Sequence, residues 1–489
     1  LKKVLAFDLG ASNGRLMLCS HDGERIRLQE LHRFPNHAIN VCGHYYWDIL
    51  RIFQEMKEGI RKSIQAGHHD VSSLAVDTWG VDFGLLSSSG ELLGNPYSYR
   101  DSQTSDGMEA LNKIVTNTEL FHRSGVEPAV INTIYQLYAI KQRQPEILDQ
   151  AETLLLTPNL VSYFFSGVKA NEFTISSTTS LMNYKNGDWD DELMELLKLP
   201  SSIMAPIVKP GTILGPTLDS INKELEMDPI EVVAVAGHDT ASALAALPIK
   251  DENAVFMSCG TWILIGTQVK EPIVTEESLD WGFTNEGTID GEYRLLKNNM
   301  GLWLIQQCKL MWSREDQQTT YEEDNQLVRD AKPFKSFINP DDPSFFHPEN
   351  MLKEIQNFVE KSGQQSLETK GEFLRCILES LALKYRWVID RLEHLTGKPI
   401  NTIHMGGGGI KNEWLCQFTA NATNRKVITG PVEASSIGNA IGQFIALGEI
   451  KDLKEAREVV GRSFQTKEYE PQNQKEWQDA YERFVKFVK

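Results

Sequence analysis

A chain of 489 residues, 41% hydrophobic and 24% charged, is longer than one core usually organises and too apolar for a disordered polymer, so two or three folded domains are expected. Its 49 Lys and Arg are outnumbered by 67 Asp and Glu, a net charge of −18 with no basic stretch standing out, which argues against nucleic acid and anionic membranes as partners. Cys19, Cys42, Cys259, Cys308, Cys376 and Cys416 are scattered without a CxxC pair, and no apolar run reaches the roughly 18 residues that span a bilayer, so reduced thiols and a cytoplasmic monomer or homodimer are expected.

From the start of the chain, residues 3–9 form an apolar run, Gly10-Ala11-Ser12-Asn13-Gly14 a small-residue turn, and residues 15–19 a second run. This predicts a hairpin, continued by a third strand over residues 25–34. The strand leaves no room before it for a signal peptide. Ile49, Ile52, Phe53, Met56, Ile60 and Ile64 then recur at helical spacing, and residues 71–76 read as a strand. Strands, helix and strand in this order predict an α/β domain. Gly237-His238-Asp239-Thr240 opens a helix of small residues, and a domain boundary is expected just after Ala246.

The second half repeats the opening. Residues 253–258, the turn Cys259-Gly260-Thr261 and residues 262–266 predict another hairpin, hence a duplicated fold. Residues 312–346 are polar and show no clear pattern. A long helix is predicted over residues 373–395, stopped by Gly397. A strand over 402–405 then leads through Gly406-Gly407-Gly408-Gly409 into a helix over 413–422.

Four segments carry residue types suited to chemistry. Asp8 closes an apolar strand, where a carboxylate can hold hydrated Mg²⁺, and the turn after it exposes amides and hydroxyls for phosphate oxygens; a plain hairpin turn is the alternative. The glycine run could let a nucleotide lie against bare backbone, although it matches neither the P-loop nor the GxGxxG pattern. Asp239 sits where a general base could accept a hydroxyl proton, or where Asp239 or Thr240 could cap a helix. Asp77-Thr78-Trp79-Gly80-Val81-Asp82 offers an aromatic face and two carboxylates to a polyhydroxylated ligand, or is a turn around a core tryptophan. Tyr99-Arg100-Asp101 could hold an internal ion pair.

Taken together and in this order, residues 6–15 (Ala-Phe-Asp-Leu-Gly-Ala-Ser-Asn-Gly-Arg), residues 77–83, His238-Asp239-Thr240-Ala241-Ser242-Ala243 and Gly430-Pro431-Val432-Glu433-Ala434-Ser435-Ser436-Ile437-Gly438-Asn439 resemble the FGGY carbohydrate kinases. The resemblance runs from Val4 to about Gly448. It implies an α/β fold of two RNase H-like domains, of the actin and hexokinase ATPase type, around a central cleft. The first, residues 1–246, would carry the sugar site and the first phosphate hairpin; the second, 247–489, the nucleotide site.

The implied reaction is phosphoryl transfer from ATP, with Mg²⁺, to the 1-hydroxyl of L-rhamnulose, with L-fuculose or L-xylulose as related acceptors. Ala11, Ser12, Asn13, Gly14 and Arg15 would bind phosphates, and Thr261, Gln306 and Gly408 would complete the nucleotide site. Gly80, His238, Asp239, Thr240 and Asn298 would contact sugar, Asp239 would accept the proton, and Asp8 would face the metal. Two departures bear on phosphate contacts: Asn13 stands where the family commonly has a second serine, and Cys259 and Ile263 interrupt its Ser-Ser-Gly-Thr-Trp-Ser pattern. A nucleotide-gated binding protein on the same fold is the alternative from another class, and a glycoside hydrolase using Asp77 and Asp82 would leave the phosphate-type turns unexplained.

Overall fold

The computed structural model describes residues 1–314, 317–346 and 348–488. They divide into two compact units, one of Leu1–Pro248, Gln268–Leu295 and Glu433–Phe464, the other of Ile249–Thr267, Leu296–Val432 and Gln465–Lys489. The expected cut after Ala246 falls at the end of the first unit's first stretch. No shift in local composition announces that residues 268–295 and 433–464 fold with that unit as well.

The first unit is built on strands β1 (Lys2–Leu9), β2 (Asn13–His21), β3 (Ile26–Pro35), β4 (Val71–Thr78), β5 (Thr212–Pro216) and β6 (Glu231–Ala234). They lie in the order β5-β6-β4-β1-β2-β3. The β1-β2-β3 meander is antiparallel, β4 runs parallel to β1 and to β6, and β5 is antiparallel to β6. A central strand covered on both faces must be apolar on both, which is why residues 3–9 read as a run and not as an alternation. Leu5, Phe7 and Leu9 pack with Ile52, Met56 and Ile60 of helix Ile49–Gln65 and with Phe165 of helix Thr157–Ser166. Val4 and Ala6 pack on the opposite face with Ile437, Ala440 and Ile441 of helix Ala434–Ala446.

In the second unit the strands are β7 (Ala254–Cys259), β8 (Trp262–Val269), β9 (Tyr293–Met300), β10 (Thr402–Gly406), β11 (Lys426–Thr429) and β12 (Lys467–Tyr469), in the order β9-β8-β7-β10-β11-β12. Again a hairpin's first strand, β7, is antiparallel to β8 and parallel to β10; β11 is parallel to β10 and β12 antiparallel to β11. The duplication suggested by two hairpins therefore extends through both sheets. Helix Lys370–Thr396 starts at a Thr369–Glu372 capping box and stops at Gly397, whose φ of 65° suits glycine. Within the unpatterned stretch 312–346 lies helix Tyr321–Asp330, which buries only Val328 and so leaves little periodicity to read; residues 315–316 of that stretch lie outside the described residues.

Candidate active site

In the first unit, β4 runs into the loop from Trp79 to Asp82. The Trp47 and Trp79 rings lie with centroids 4.2 Å apart, tilted by 39°, and both indole N–H groups donate to Asp82 Oδ2, at 2.6 and 2.9 Å. Gln136 Nε2 donates to Oδ1 and the Tyr99 amide to Oδ2. Burial pushes Asp82 up to about 6 in spite of these four donors. Asp82 thus holds the loop together and is committed away from a sugar hydroxyl or a hydrolytic partnership with Asp77. Arg100 and Asp101 do not pair: Arg100 lies over the Tyr99 ring, and Asp101 accepts from the Tyr45 and Gln103 amides and faces His44.

Val81 has φ of 69°, a strained conformation for a β-branched residue. It is held there by Thr133 Oγ1 donating to its carbonyl at 2.6 Å and by its own amide donating to Thr178 Oγ1. The strain sits beside Gly80, where a Cβ would lie 3.4 Å from Thr178 Oγ1 and 3.5 Å from His238 Nε2. The bare side of Gly80 therefore faces the imidazole.

The loop carrying His238 is pinned from behind. Glu172 Oε2 accepts the Gly237 amide at 3.0 Å, and Thr174 Oγ1 accepts the His238 amide. Glu172 is fully buried, and burial outweighs its donors to raise it to about 7. Helix Asp239–Ala245 begins immediately afterward, with His238 at the capping position and no side-chain cap bond. The helix-cap alternative for Asp239 and Thr240 therefore does not hold. The Asp239 carboxylate, 28% exposed, lies 3.6 Å from His238 Nε2. Burial raises it, His238 lowers it and Asp8 raises it again, for a net position near 6. A carboxylate poised there is ionised at neutral pH yet basic enough to take a proton.

Asp8 and Asp77 are register partners on β1 and β4. Asp8 Oδ2 accepts from Arg15 at 2.6 Å and from Ser436 Oγ at 3.1 Å; Arg15 also pairs with Glu433. Asp77 is fully buried, accepts from Asn439 at 2.7 Å through Oδ2, and has no hydrogen-bond partner at Oδ1. Burial, then the charges of Asp8 and Asp239, push Asp77 well above the ordinary carboxylate range. Asp8 and the orphaned Asp77 oxygen stand side by side, and a divalent cation would relieve their charge, so these two residues fit a largely hydrated Mg²⁺. Among the described residues no cage of three or more metal-binding side chains exists. A cation here would keep most of its waters, as Mg²⁺ does.

The turn before β2 is fixed by the Gly10 amide donating to the Asn13 carbonyl and by Asn36 Nδ2 donating to the Gly10 carbonyl. Ser12 is exposed and Ala11 half-buried. Asn13 accepts from Arg33. Gly14 owes its lack of a side chain to Phe34, its partner on β3, since a Cβ would lie 2.3 Å from that ring.

In the second unit Thr261 and Gln306 meet, Oγ1 donating to Oε1 at 3.3 Å, both on exposed residues. The Gly260 and Thr261 carbonyls accept amides of Gly301, Leu302 and Trp303 at the entrance to helix Trp303–Arg314. The glycine run abuts the end of β7: a Cβ on Gly407 or Gly409 would lie 2.8 Å from Cys259 atoms, whereas one on Gly408 would meet nothing within 4 Å. Gly408 is thus the open position among Gly407, Gly408 and Gly409. Asn298 is exposed on β9.

Sequence reasoning overlooked Glu172, Glu433 and Ser436 as parts of this arrangement. Glu433 and Ser436 lie in a segment quoted for its resemblance, but only the fold shows that they reach Arg15 and Asp8.

Residues 3–246 match the FGGY family of carbohydrate kinases, N-terminal domain, and residues 255–447 its C-terminal domain. A rhamnulokinase of Bacteroides thetaiotaomicron is 39% identical over 488 residues, 100% of both chains, and one of Bacillus subtilis is 36% identical over 96% of this chain and 95% of its own. Among solved structures, a xylulose kinase from Lactobacillus acidophilus superposes with a TM-score of 0.83 at 18% identity, covering 99% of this chain and 97% of the other. Plasmodium falciparum glycerol kinase with ADP gives 0.81 at 13%, covering 99% and 98%. The two repeated sheets are thus the two RNase H-like domains of an actin and hexokinase-type ATPase, and the chain belongs to the FGGY family of carbohydrate kinases.

Proposed function

We propose that the protein phosphorylates L-rhamnulose at its 1-hydroxyl with ATP, and that Asp239 accepts the proton. The observation that carries the reading is the partly exposed Asp239 carboxylate, beside His238 and the bare face of Gly80, in a chain whose full-length relatives are rhamnulokinases. A non-catalytic nucleotide switch on the same fold would have no use for that carboxylate. With ATP as donor, the cytoplasm is the proposed compartment.

Each residue has a proposed task. Gly80, His238, Thr240 and Asn298 bind and orient the sugar. Thr261, Gln306 and Gly408 hold the nucleotide, and Ala11 to Arg15 take its phosphates. Asp8, with Asp77 beside it, would hold Mg²⁺, which when bound neutralises phosphate charge. A sugar hydroxyl is scarcely ionised at neutral pH, so Asp239 receives its proton late, as the oxygen–phosphorus bond forms, and the site contributes mainly by positioning.

The test is ADP release with Mg-ATP and a panel of ketoses and aldoses. Strong stimulation by L-rhamnulose supports the assignment, preference for L-fuculose or L-xylulose moves it to a related acceptor, and ATP binding without stimulation by any sugar overturns the kinase reading. The pH profile is a separate check. With Asp239 near 6, kcat/KM for sugar should be flat above that value and fall about tenfold per pH unit below it, because protonation removes the base.

A further inference from the structure

Behind His238 lies a buried ion pair that the reaction as described does not use. Arg294 is completely buried and Glu286 nearly so, and their side chains meet at 2.5 Å. Arg294 Nη2 carries two hydrogens but has three acceptors in reach: Glu286 Oε2 at 2.5 Å, Thr240 Oγ1 at 2.7 Å and His238 Nδ1 at 2.9 Å. The two shorter contacts take them. His238 Nδ1 is then left 3.1 Å from Glu286 Oε2, where it serves as donor and keeps its hydrogen. Burial pushes Glu286 up, but Arg294 and His238 outweigh it and hold it at about 2, so the carboxylate remains an acceptor at every pH at which the enzyme would work.

A carboxylate on one ring nitrogen fixes what the other can do. With the hydrogen on Nδ1, Nε2 carries a lone pair on the side that Gly80 leaves bare, 3.3 Å from Thr240 Oγ1, whose own lone pair already takes Arg294, and 3.6 Å from Asp239 Oδ1. We infer that Glu286, anchored by Arg294, orients the His238 imidazole so that Nε2 accepts a hydrogen bond from a ketose hydroxyl, which makes the pair a positioning device for acceptor recognition. The inference rests on the sugar-kinase reading. It assigns Glu286 and Arg294 no contact with substrate; they act through His238.

Removing Glu286 alone would strand a buried guanidinium, a change that can prevent folding by itself. The variant of choice is therefore the double one, Glu286→Gln with Arg294→Met, which deletes both charges together. In the folded double variant KM for the ketose should rise at least about tenfold while KM for ATP holds, as loss of one substrate hydrogen bond requires.

A set of monodeoxy ketoses separates positioning from general damage. The wild type should reject one of them more than the others, and the double variant should no longer distinguish that analogue from the full sugar. Retained discrimination in the folded variant overturns the inference. The second measurement needs no variant at Glu286 or Arg294 and no turnover: ¹⁵N chemical shifts of His238 in the full-length wild type, assigned by difference from His238→Asn, should show the hydrogen on Nδ1 and a bare Nε2. A neutral ring with its hydrogen on Nε2 overturns the inference. If the wild type shows no sugar-stimulated ADP release, it is the kinase reading that fails, and the nitrogen shifts still decide whether Glu286 places the hydrogen.

Discussion

Asp239→Asn should lower ketose-stimulated ADP release by about 100-fold or more, as expected when a general base is lost, while the variant folds at least as well as the wild type. The second half of that expectation comes from the same environment as the first. Asp239 titrates near 6, above the ordinary carboxylate value of 3.8, so its ionised form is less favourable in the folded protein than in the unfolded chain. That penalty is absent below the unfolded value, grows between the two and is complete above about pH 6. Asn keeps the shape without the charge, so at pH 8 the variant should gain on the order of 1–2 kcal/mol, with allowance made for partial exposure. The gain should vanish near pH 4. Activity assays and unfolding midpoints at the two pH values read both effects. A variant that loses activity and stability together would point to structural damage instead of a missing base.

Gly438→Ala should have the largest effect on folding. Helix Ala434–Ala446 crosses helix Asp239–Ala245 so closely that a Cβ on Gly438 would lie 1.7 Å from the Ser242 carbonyl oxygen and 2.4 Å from its carbon. Both obstacles are backbone, so no side-chain rotation can make room. Ser242 is itself tied down through Oγ, which donates to the Ala236 carbonyl at 2.8 Å. The methyl must push the helices apart, at a cost of roughly 3 kcal/mol or more. The displaced helix is the one that Asp239 begins, so the folded fraction that survives should also be impaired in turnover. Folded yield, the denaturation midpoint and kcat per folded molecule measure these losses; a wild-type midpoint would show that the helices separate freely.

The reach of the sequence differs between local and distant relations. Residues 3–9, the Gly10–Gly14 turn and residues 15–19 predicted a hairpin whose strands prove to be Lys2–Leu9 and Asn13–His21, the second starting two residues early, because apolar runs and turn residues act over a few positions. Helix Lys370–Thr396 was equally legible from its pattern and the Gly397 stop. Gly14 carries a second constraint that the turn alone did not show: a Cβ there would meet the Phe34 ring. Asp82 looked free to bind a ligand because the tryptophans that occupy it include Trp47, 35 positions away. The Glu286–Arg294 pair left no local signal, since an ion pair eight residues apart, between strands Thr284–Gly287 and Tyr293–Met300, has no periodicity of its own. Neither residue lies in one of the four short segments whose residues carry the resemblance.

The first unit is assembled from three pieces of chain. Asp8 receives a hydrogen bond from Ser436, which follows it by 428 residues. At a synthesis rate of about 5–20 residues per second, the helix bearing Ser436 leaves the ribosome roughly 20 to 90 s after Asp8 does. For that whole interval the Val4 and Ala6 face of β1 lacks the apolar cover that Ile437, Ala440 and Ile441 give it in the finished protein. The nascent chain must therefore carry an uncovered sheet face through that interval, and a message truncated before the codon for Glu433 should yield a product that aggregates, although it encodes the proposed base Asp239 and every strand of the first sheet.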